Sequence, residues 1–232
     1  MRYIHKRKRC RAFDSYVKRK RTNKWSQFNS SIKFVLHQHL WKEQKGLCVY
    51  CEQAIPEKRR KDDTLRHHPS HIEHIKPKSK YKHLAFSYRN LALACNGFNC
   101  ASEDEKGEFC EYAKKDMFNS NLFLNPVEVR DIEDYFTFDI DGNIKPNRNR
   151  SAIEIEKARY MIELLDLQNP NLKSMRAEQY TIFIEEELAG VNVRAILKPD
   201  RFVLPGFYTM LKQFFGEPFK TDTLPPDGQS FL

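Results

Sequence analysis

Long apolar runs are missing: none of the 232 residues belongs to a stretch of more than a few apolar side chains, so no membrane-spanning helix is expected. The opening residues Met1-Arg2-Tyr3-Ile4-His5-Lys6 have no apolar stretch of the signal-peptide kind, and the expected location is cytoplasmic. Cysteines stay reduced there, which argues against a disulfide framework for the six that are present. Acid is scarce in one part of the chain only. Residues 1–100 carry 24 Lys and Arg against 7 Asp and Glu, a net of +17, whereas residues 101–232 carry 16 against 24, a net of −8. Such asymmetry predicts one half that faces a polyanion and another half with a different task. Apolar content is not short: at 40% apolar and 12% aromatic the chain has enough to bury a core, which excludes wholesale disorder.

Residues 1–25 are dense in Lys and Arg with a single acid, Asp14, and predict a basic N-terminal arm, extended or ordered only on binding. Over 26–45, Phe28, Ile32, Val35, Leu36 and Leu40 recur at helical spacing, and Gly46 stands where a helix would stop. Residues 26–120 form the expected central region. Beyond it, 121–232 reads as a hairpin and helical scaffold. Leu122-Phe123-Leu124 and Tyr135-Phe136-Thr137-Phe138 predict strands, and Asp141-Gly142-Asn143 predicts a hairpin turn. Residues 151–166 predict an amphipathic helix broken at Asn169-Pro170, with a second helix running to about Leu188. Phe202, Phe207, Tyr208, Phe214 and Phe215 are expected mostly in the core.

Two cysteine pairs stand out. Cys48 and Cys51 form Cys-x2-Cys; Cys95 and Cys100 form Cys-x4-Cys, with 43 residues between the pairs. Two short knuckles supplying two thiolates each make a four-coordinate structural zinc site, closed to water. Closing a loop of this length with a metal contributes directly to folding. Cys10 and Cys110 have no partner at ligand spacing and are expected as free thiols.

Five of the eight histidines (His67, His68, His71, His74, His83) fall between the knuckles. That interval reads His71-Ile72-Glu73-His74-Ile75-Lys76-Pro77, then Tyr88-Arg89-Asn90-Leu91-Ala92-Leu93-Ala94-Cys95. Adjacent side chains on a strand face opposite ways, so Glu73 and His74 share a site only if the chain bends there. From Glu57 to Lys82 nine Lys and Arg stand against four acids, as expected for sequence-independent phosphate contacts.

The order Cys-x2-Cys, acid-His before an apolar residue and a proline, Asn-Leu-x3-Cys, then a further cysteine resembles the HNH nucleases, over residues 46–107. The resemblance implies an α+β fold, with a zinc-stapled ββα-metal core embedded in a mainly helical chain. It implies His74 as general base, Asn90 as the residue that orients it, and Glu73 as a ligand of a catalytic divalent ion, Mg²⁺ or else Mn²⁺. The third metal ligand falls on Asn99 by count, with Glu103 and Asp104 also candidates because the second knuckle is expanded. His71 is a supporting residue by the same resemblance; His67, His68 and His83 read as surface or phosphate-contacting.

The outer motifs Leu124-Asn125-Pro126, Tyr135-Phe136-x-Phe138 and Asp141-Gly142-x-Ile144-x-Pro146 extend the resemblance to the PtuB-type HNH proteins of Septu and retron-associated antiphage systems. That family implies a PtuA-type ABC ATPase partner, in retron versions also a reverse transcriptase with its RNA–DNA product, and a DNA or tRNA substrate. A catalytically decayed, zinc-finger-like nucleic-acid-binding or adaptor module is the alternative reading.

Overall fold

Asn29 starts the helix that carries the centre of the fold: its side-chain oxygen accepts from the Ile32 N–H at 3.1 Å, capping α2 (Ser30–Glu43). Lys45 and Gly46, both at positive φ, end it, and the Gly46 N–H closes on the Trp41 carbonyl. The buried face of α2 is Phe34, Leu36, His37, Leu40 and Trp41. Val35, expected on that face, is 36% exposed. The helix is rotated from the sequence expectation because it packs on two elements at once, the preceding helix α1 (Arg11–Arg19) and the strand at Leu91–Cys95.

The computed structural model describes residues 1–6, 9–19, 24–57, 69–97 and 109–216. Its architecture is α+β, with helices around two small antiparallel sheets. In the first sheet β1 (Ser70–His74) pairs with β2 (Leu91–Cys95), in a register that sets Ser70 opposite Cys95 and His74 opposite Leu91. A four-residue helix, α3 (Glu111–Lys114), follows in the described chain. The second sheet is a hairpin of β3 (Phe136–Phe138) and β4 (Ile144–Pro146), as the Asp-Gly-Asn turn predicts. Gly142 is obligatory there. Its φ is +77°, and a Cβ would lie 2.2 Å from the Lys173 carbonyl.

Two long helices brace this hairpin. The Ser151 N–H and hydroxyl both donate to Glu154, starting α4 (Ala152–Leu164). Asn169 caps α5 (Pro170–Leu188), with Pro170 in the first turn. From α5, the buried Arg176 donates to the carbonyls of Gly142 (3.0 Å) and Leu167 (2.9 Å), tying hairpin and interhelix turn together. Helices α6 (Val193–Ile196) and α7 (Tyr208–Phe215) finish the described chain. Phe207, Tyr208 and Phe215 are buried, whereas Phe202 is 62% exposed. Among the described residues no helix is long and apolar enough to cross a membrane.

Two expectations need correction. The basic N-terminal segment is not an extended arm over its described residues. Met1, Ile4, Cys10 and Phe13 are buried, Ile4 N–H bonds the Pro126 carbonyl, and α1 packs against α2. Lys6, which composition marks as a solvated charge, inserts between Glu43 (2.6 Å) and the Leu91 carbonyl (2.8 Å). The few apolar residues of this segment suffice to dock it, because its buried lysine finds an acid. Leu122-Phe123-Leu124 is not a strand. Phe123 and Leu124 are buried, but their N–H groups go to Asn119 O and to Met161 Sδ, so no sheet edge is available to them.

Candidate functional site

The knuckle at 46–54 is built on a tight turn in which Cys48 N–H bonds Gln53 O and Glu52 adopts a φ of 64°. Its next residue, Val49, bonds Leu93 O and so fastens the knuckle to β2, whose last residue is Cys95. The fourth thiol is Cys110, not one predicted from the spacing. Its N–H bonds Leu165 O at 2.8 Å, and it sits at a φ of 60° just before α3. Cys48, Cys51, Cys95 and Cys110 form one buried cluster. Sγ of Cys48 is 3.9 Å from that of Cys110, and Sγ of Cys51 is 3.6 Å from that of Cys95. A tetrahedron with Zn–S bonds of about 2.3 Å has edges of about 3.8 Å, so the thiols fit a structural zinc ion. Backbone N–H groups of Cys95 and Gln53 point at the sulfurs of Cys48 and Cys51. Burial opposes ionisation of Cys48, yet the other three thiols and the Cys95 N–H bring its pKa well below the ordinary thiol value.

Cys110 therefore takes part in the cluster rather than standing free, while Cys10 is free and buried. Cys100, Asn99, Glu103, Asp104, His67 and His68 lie outside the described residues. Nothing in the spacing signals Cys110: it lies far beyond the knuckle lengths that sequence patterns use, and the fold brings it in through α4.

Beside the thiols lies a second group. Alternation along β1 puts His71 and Glu73 on one side of the strand. They meet Glu111 of α3, the three ligand atoms lying within 4.8 Å of one another. His71 Nδ1 pairs with Asn96 Oδ1 at 2.9 Å. Its Nε2 is 2.6 Å from Glu111 Oε2, yet buried and without hydrogen-bond geometry to any partner. At 2.6 Å the imidazole and the Glu111 carboxylate form an ion pair, and together with Glu73 they are a group of three that could hold a metal ion. Burial works against ionisation of His71, but Glu111 and Asn96 raise its pKa. Glu73 is already engaged: Oε1 accepts from Tyr50 Oη at 2.9 Å and faces Lys114 Nζ at 2.6 Å, with both members of the ion pair buried. Neither Glu111 nor Lys114 carried any signal in the sequence, since α3 is four residues long and follows a charged stretch.

Lys114→Met is expected to destabilise the protein by about 3–5 kcal/mol, because it leaves the Glu73 carboxylate buried and uncompensated. Adding Glu73→Gln to that variant should recover most of the loss. Chemical denaturation of the two variants checks this, and equal stability of Lys114→Met and wild type would exclude the ion pair as a structural element.

His74 takes the other side. The strand runs straight through it and bends only at Ile75–Lys76, so Glu73 and His74 have different side-chain partners. This corrects the expected bend between them. The imidazole packs edge-on against Trp25, with centroids 4.4 Å apart, and Nε2 lies 3.0 Å from Ala85 O. A carbonyl only accepts, so Nε2 carries the proton and Nδ1 is the lone-pair nitrogen. Burial, reinforced by Lys78 and Lys114, pulls the His74 pKa down to about 4 against the Ala85 bond. The ring is neutral at pH 7.

Asn90 does not touch His74. Its Oδ1 accepts from Lys76 N–H at 2.8 Å, and Nδ2 donates to Lys76 O and Leu84 O. It thereby pins both ends of the 75–90 connection, including the turn that presents Ala85 O. Asn90 is a positioning residue that acts through the backbone. Lys78, Lys80, Lys82 and His83 on the same connection are exposed.

The depressed His74 pKa has a thermodynamic consequence. Between pH 6.5 and about 4 the unfolded chain protonates this imidazole while the folded chain does not. Stability is fully present above pH 6.5 and falls as the pH drops through that window, by up to about 3 kcal/mol from this residue. Urea titrations at pH 7 and pH 4.5 of wild type and His74→Gln measure it: the difference between the two proteins should shrink at the lower pH.

Comparison of the chain with protein-family models and with curated proteins found no match.

Proposed function

We propose that the protein is a metal-dependent endonuclease of the HNH type that hydrolyses phosphodiester bonds in DNA or tRNA. The observation that carries this reading is His74: neutral at pH 7, its protonated nitrogen held by the Ala85 carbonyl, its Nδ1 taking no hydrogen bond from the described residues. A neutral imidazole has a lone pair that can accept a proton from an attacking water, and the negative charge of a bound phosphate would raise its pKa from about 4 toward neutrality. His71, Glu73 and Glu111 would hold the divalent ion, Mg²⁺ or Mn²⁺, on the side of β1 opposite the His74 side chain, so cleavage on this reading requires the end of the strand at His74 to bend when substrate binds. Such an ion supplies positive charge to offset that of the phosphate and lowers the pKa of water. The residues of the chain do the rest: Asn90 fixes the loop that orients His74, and Lys78, Lys80 and Lys82 offer phosphate contacts. The Cys48, Cys51, Cys95 and Cys110 zinc holds β2 and the knuckle in register around them.

On this reading the protein is the toxic effector of a bacterial antiphage system, cytoplasmic, restrained by an ABC-type ATPase and in some assemblies joined by a reverse transcriptase. Its acidic half, residues 101–232, is the docking scaffold. The test is incubation of the purified protein with supercoiled DNA and with total tRNA, in Mg²⁺ and in Mn²⁺. Cleavage supports the reading.

The rival reading, a zinc-stabilised binding module without catalysis, has one observation in its favour: Lys114 already neutralises Glu73. It predicts nucleic acid that is bound but uncut under the same conditions.

A further inference from the structure

Residues of the 2–5 segment, Lys45, the 130–133 segment and helices α6 and α7 line a half-open cleft of about 710 Å³ that shares no residue with the Glu73 and His74 sites. Its wall holds Arg2, Lys45, Arg130, Arg194, Lys198 and Lys212 against one acid, Glu133. That acid is already neutralised, with Lys212 Nζ 3.0 Å from its Oε2. Three of the other cations are fixed by neutral oxygens: Arg2 by Gln44 O (2.9 Å), Lys45 by Arg201 O (2.6 Å) and Arg194 by Phe215 O (3.4 Å). Among the described residues no ion pair joins these three, Arg130 or Lys198 to a carboxylate. Burial and then repulsion from Arg2 lower the Lys45 pKa, against the attraction of Asp200. Among the described residues, five positive charges thus face one cleft with no carboxylate within ion-pair distance of them, the nearest influences being Glu52 on Arg2 and Asp200 on Lys45.

The shape bears on the ligand. A lysine track along a flat surface suits a nucleic-acid backbone, whereas a half-open cleft of this volume, with cations on several of its walls, is of a size for a small molecule. Leu197 and Leu204 are buried and give the cavity an apolar wall, and Tyr208 Oη donates to Leu197 O at 3.1 Å, fixing it. Tyr3, packed against His5 at a centroid distance of 4.6 Å, adds a half-buried aromatic ring. Five cations match the roughly four negative charges of a nucleoside triphosphate at neutral pH. We propose that this cavity is a binding site for a nucleoside triphosphate, with Arg130, Arg194 and Lys198 on the phosphates and the Tyr3 side on the base. The site is independent of the nuclease reading and stands whether or not the protein cuts nucleic acid.

Calorimetric titration of the full chain with ATP, without added divalent ion, tests it. Saturable one-to-one binding is expected. Arg130→Ala/Lys198→Ala, a pair of exposed positions, should bind at least about 10-fold more weakly, since each lost charge-assisted contact is worth roughly that factor. Arg148→Ala, which removes an exposed charge outside the cavity, should bind as wild type does. At ATP concentrations about 100-fold above Kd the wild-type Tm should rise by about 5 °C, and the double variant, with an unchanged Tm in the absence of ATP, should show a smaller rise. No saturable binding of ATP, or equal affinity of the double variant and wild type, overturns the proposal. So does binding of a single-stranded 12-mer that depends on Arg130 and Lys198 when ATP does not bind; the cavity would then be a nucleic-acid surface.

Discussion

Cys110→Ser is expected to abolish zinc binding and to leave the protein unfolded at 37 °C, whereas Cys100→Ser keeps one zinc per chain. Structural zinc in small four-ligand sites contributes on the order of 10–16 kcal/mol to folding, comparable with the whole stability of an ordinary domain. Cys110 is fully buried, and its sulfur makes one edge of the thiol tetrahedron at 3.9 Å from Cys48. A serine hydroxyl there is a poor zinc ligand and would be buried beside three thiols. The loss also spreads, because Cys110 N–H bonds Leu165 O and so links the cluster to the end of α4. Zinc content by atomic emission and helicity by circular dichroism read the result. Retention of zinc in Cys110→Ser together with its loss in Cys100→Ser would return the fourth ligand to the second knuckle.

The second large effect is on activity. His74→Gln should lower the cleavage rate by about 10²–10⁴-fold, the usual cost of losing a general base, while zinc content and fold persist. Glutamine is the informative replacement. Its amide nitrogen can reach the position of Nε2 and keep the donor to Ala85 O, but nothing replaces the lone pair of Nδ1. His74→Ala, by contrast, also empties the space against Trp25 and confounds packing with chemistry. A His74→Gln protein that cuts at the wild-type rate would sink the assignment of the base and leave the metal site to be tested separately. Nucleic acid that wild type binds but never cuts, in either metal, would favour the binding-module reading.

Much of the scaffold was legible in the residues themselves. The extents of helices α2, α4 and α5 follow from the sequence, α2 stopping before Gly46 and α5 starting at Asn169-Pro170, because caps and breakers act within one turn of chain. The hairpin follows from Asp141-Gly142-Asn143, where the backbone has to turn at positive φ. Three of the four clustered thiols, Cys48, Cys51 and Cys95, were legible because a knuckle and a strand end hold ligands at local spacing.

The rest depended on distance. Composition alone makes residues 1–25 a basic arm, extended or ordered only on binding, yet Lys6 is buried because Glu43 lies 37 residues away in α2. Spacing alone leaves Cys110 free, yet α4 fastens it under the knuckle. The motif puts Glu73 and His74 side by side, but the regular pairing of β1 with β2 gives one to Lys114 and Tyr50 and the other to Ala85 and Trp25. The sequence by itself determined the local elements, the knuckle and the uneven charge. Only the tertiary structure decided which thiol completes the cluster, which charges are neutralised and which are left converging on a cavity. Those outcomes rest on contacts between residues far apart in the chain, which no local pattern encodes.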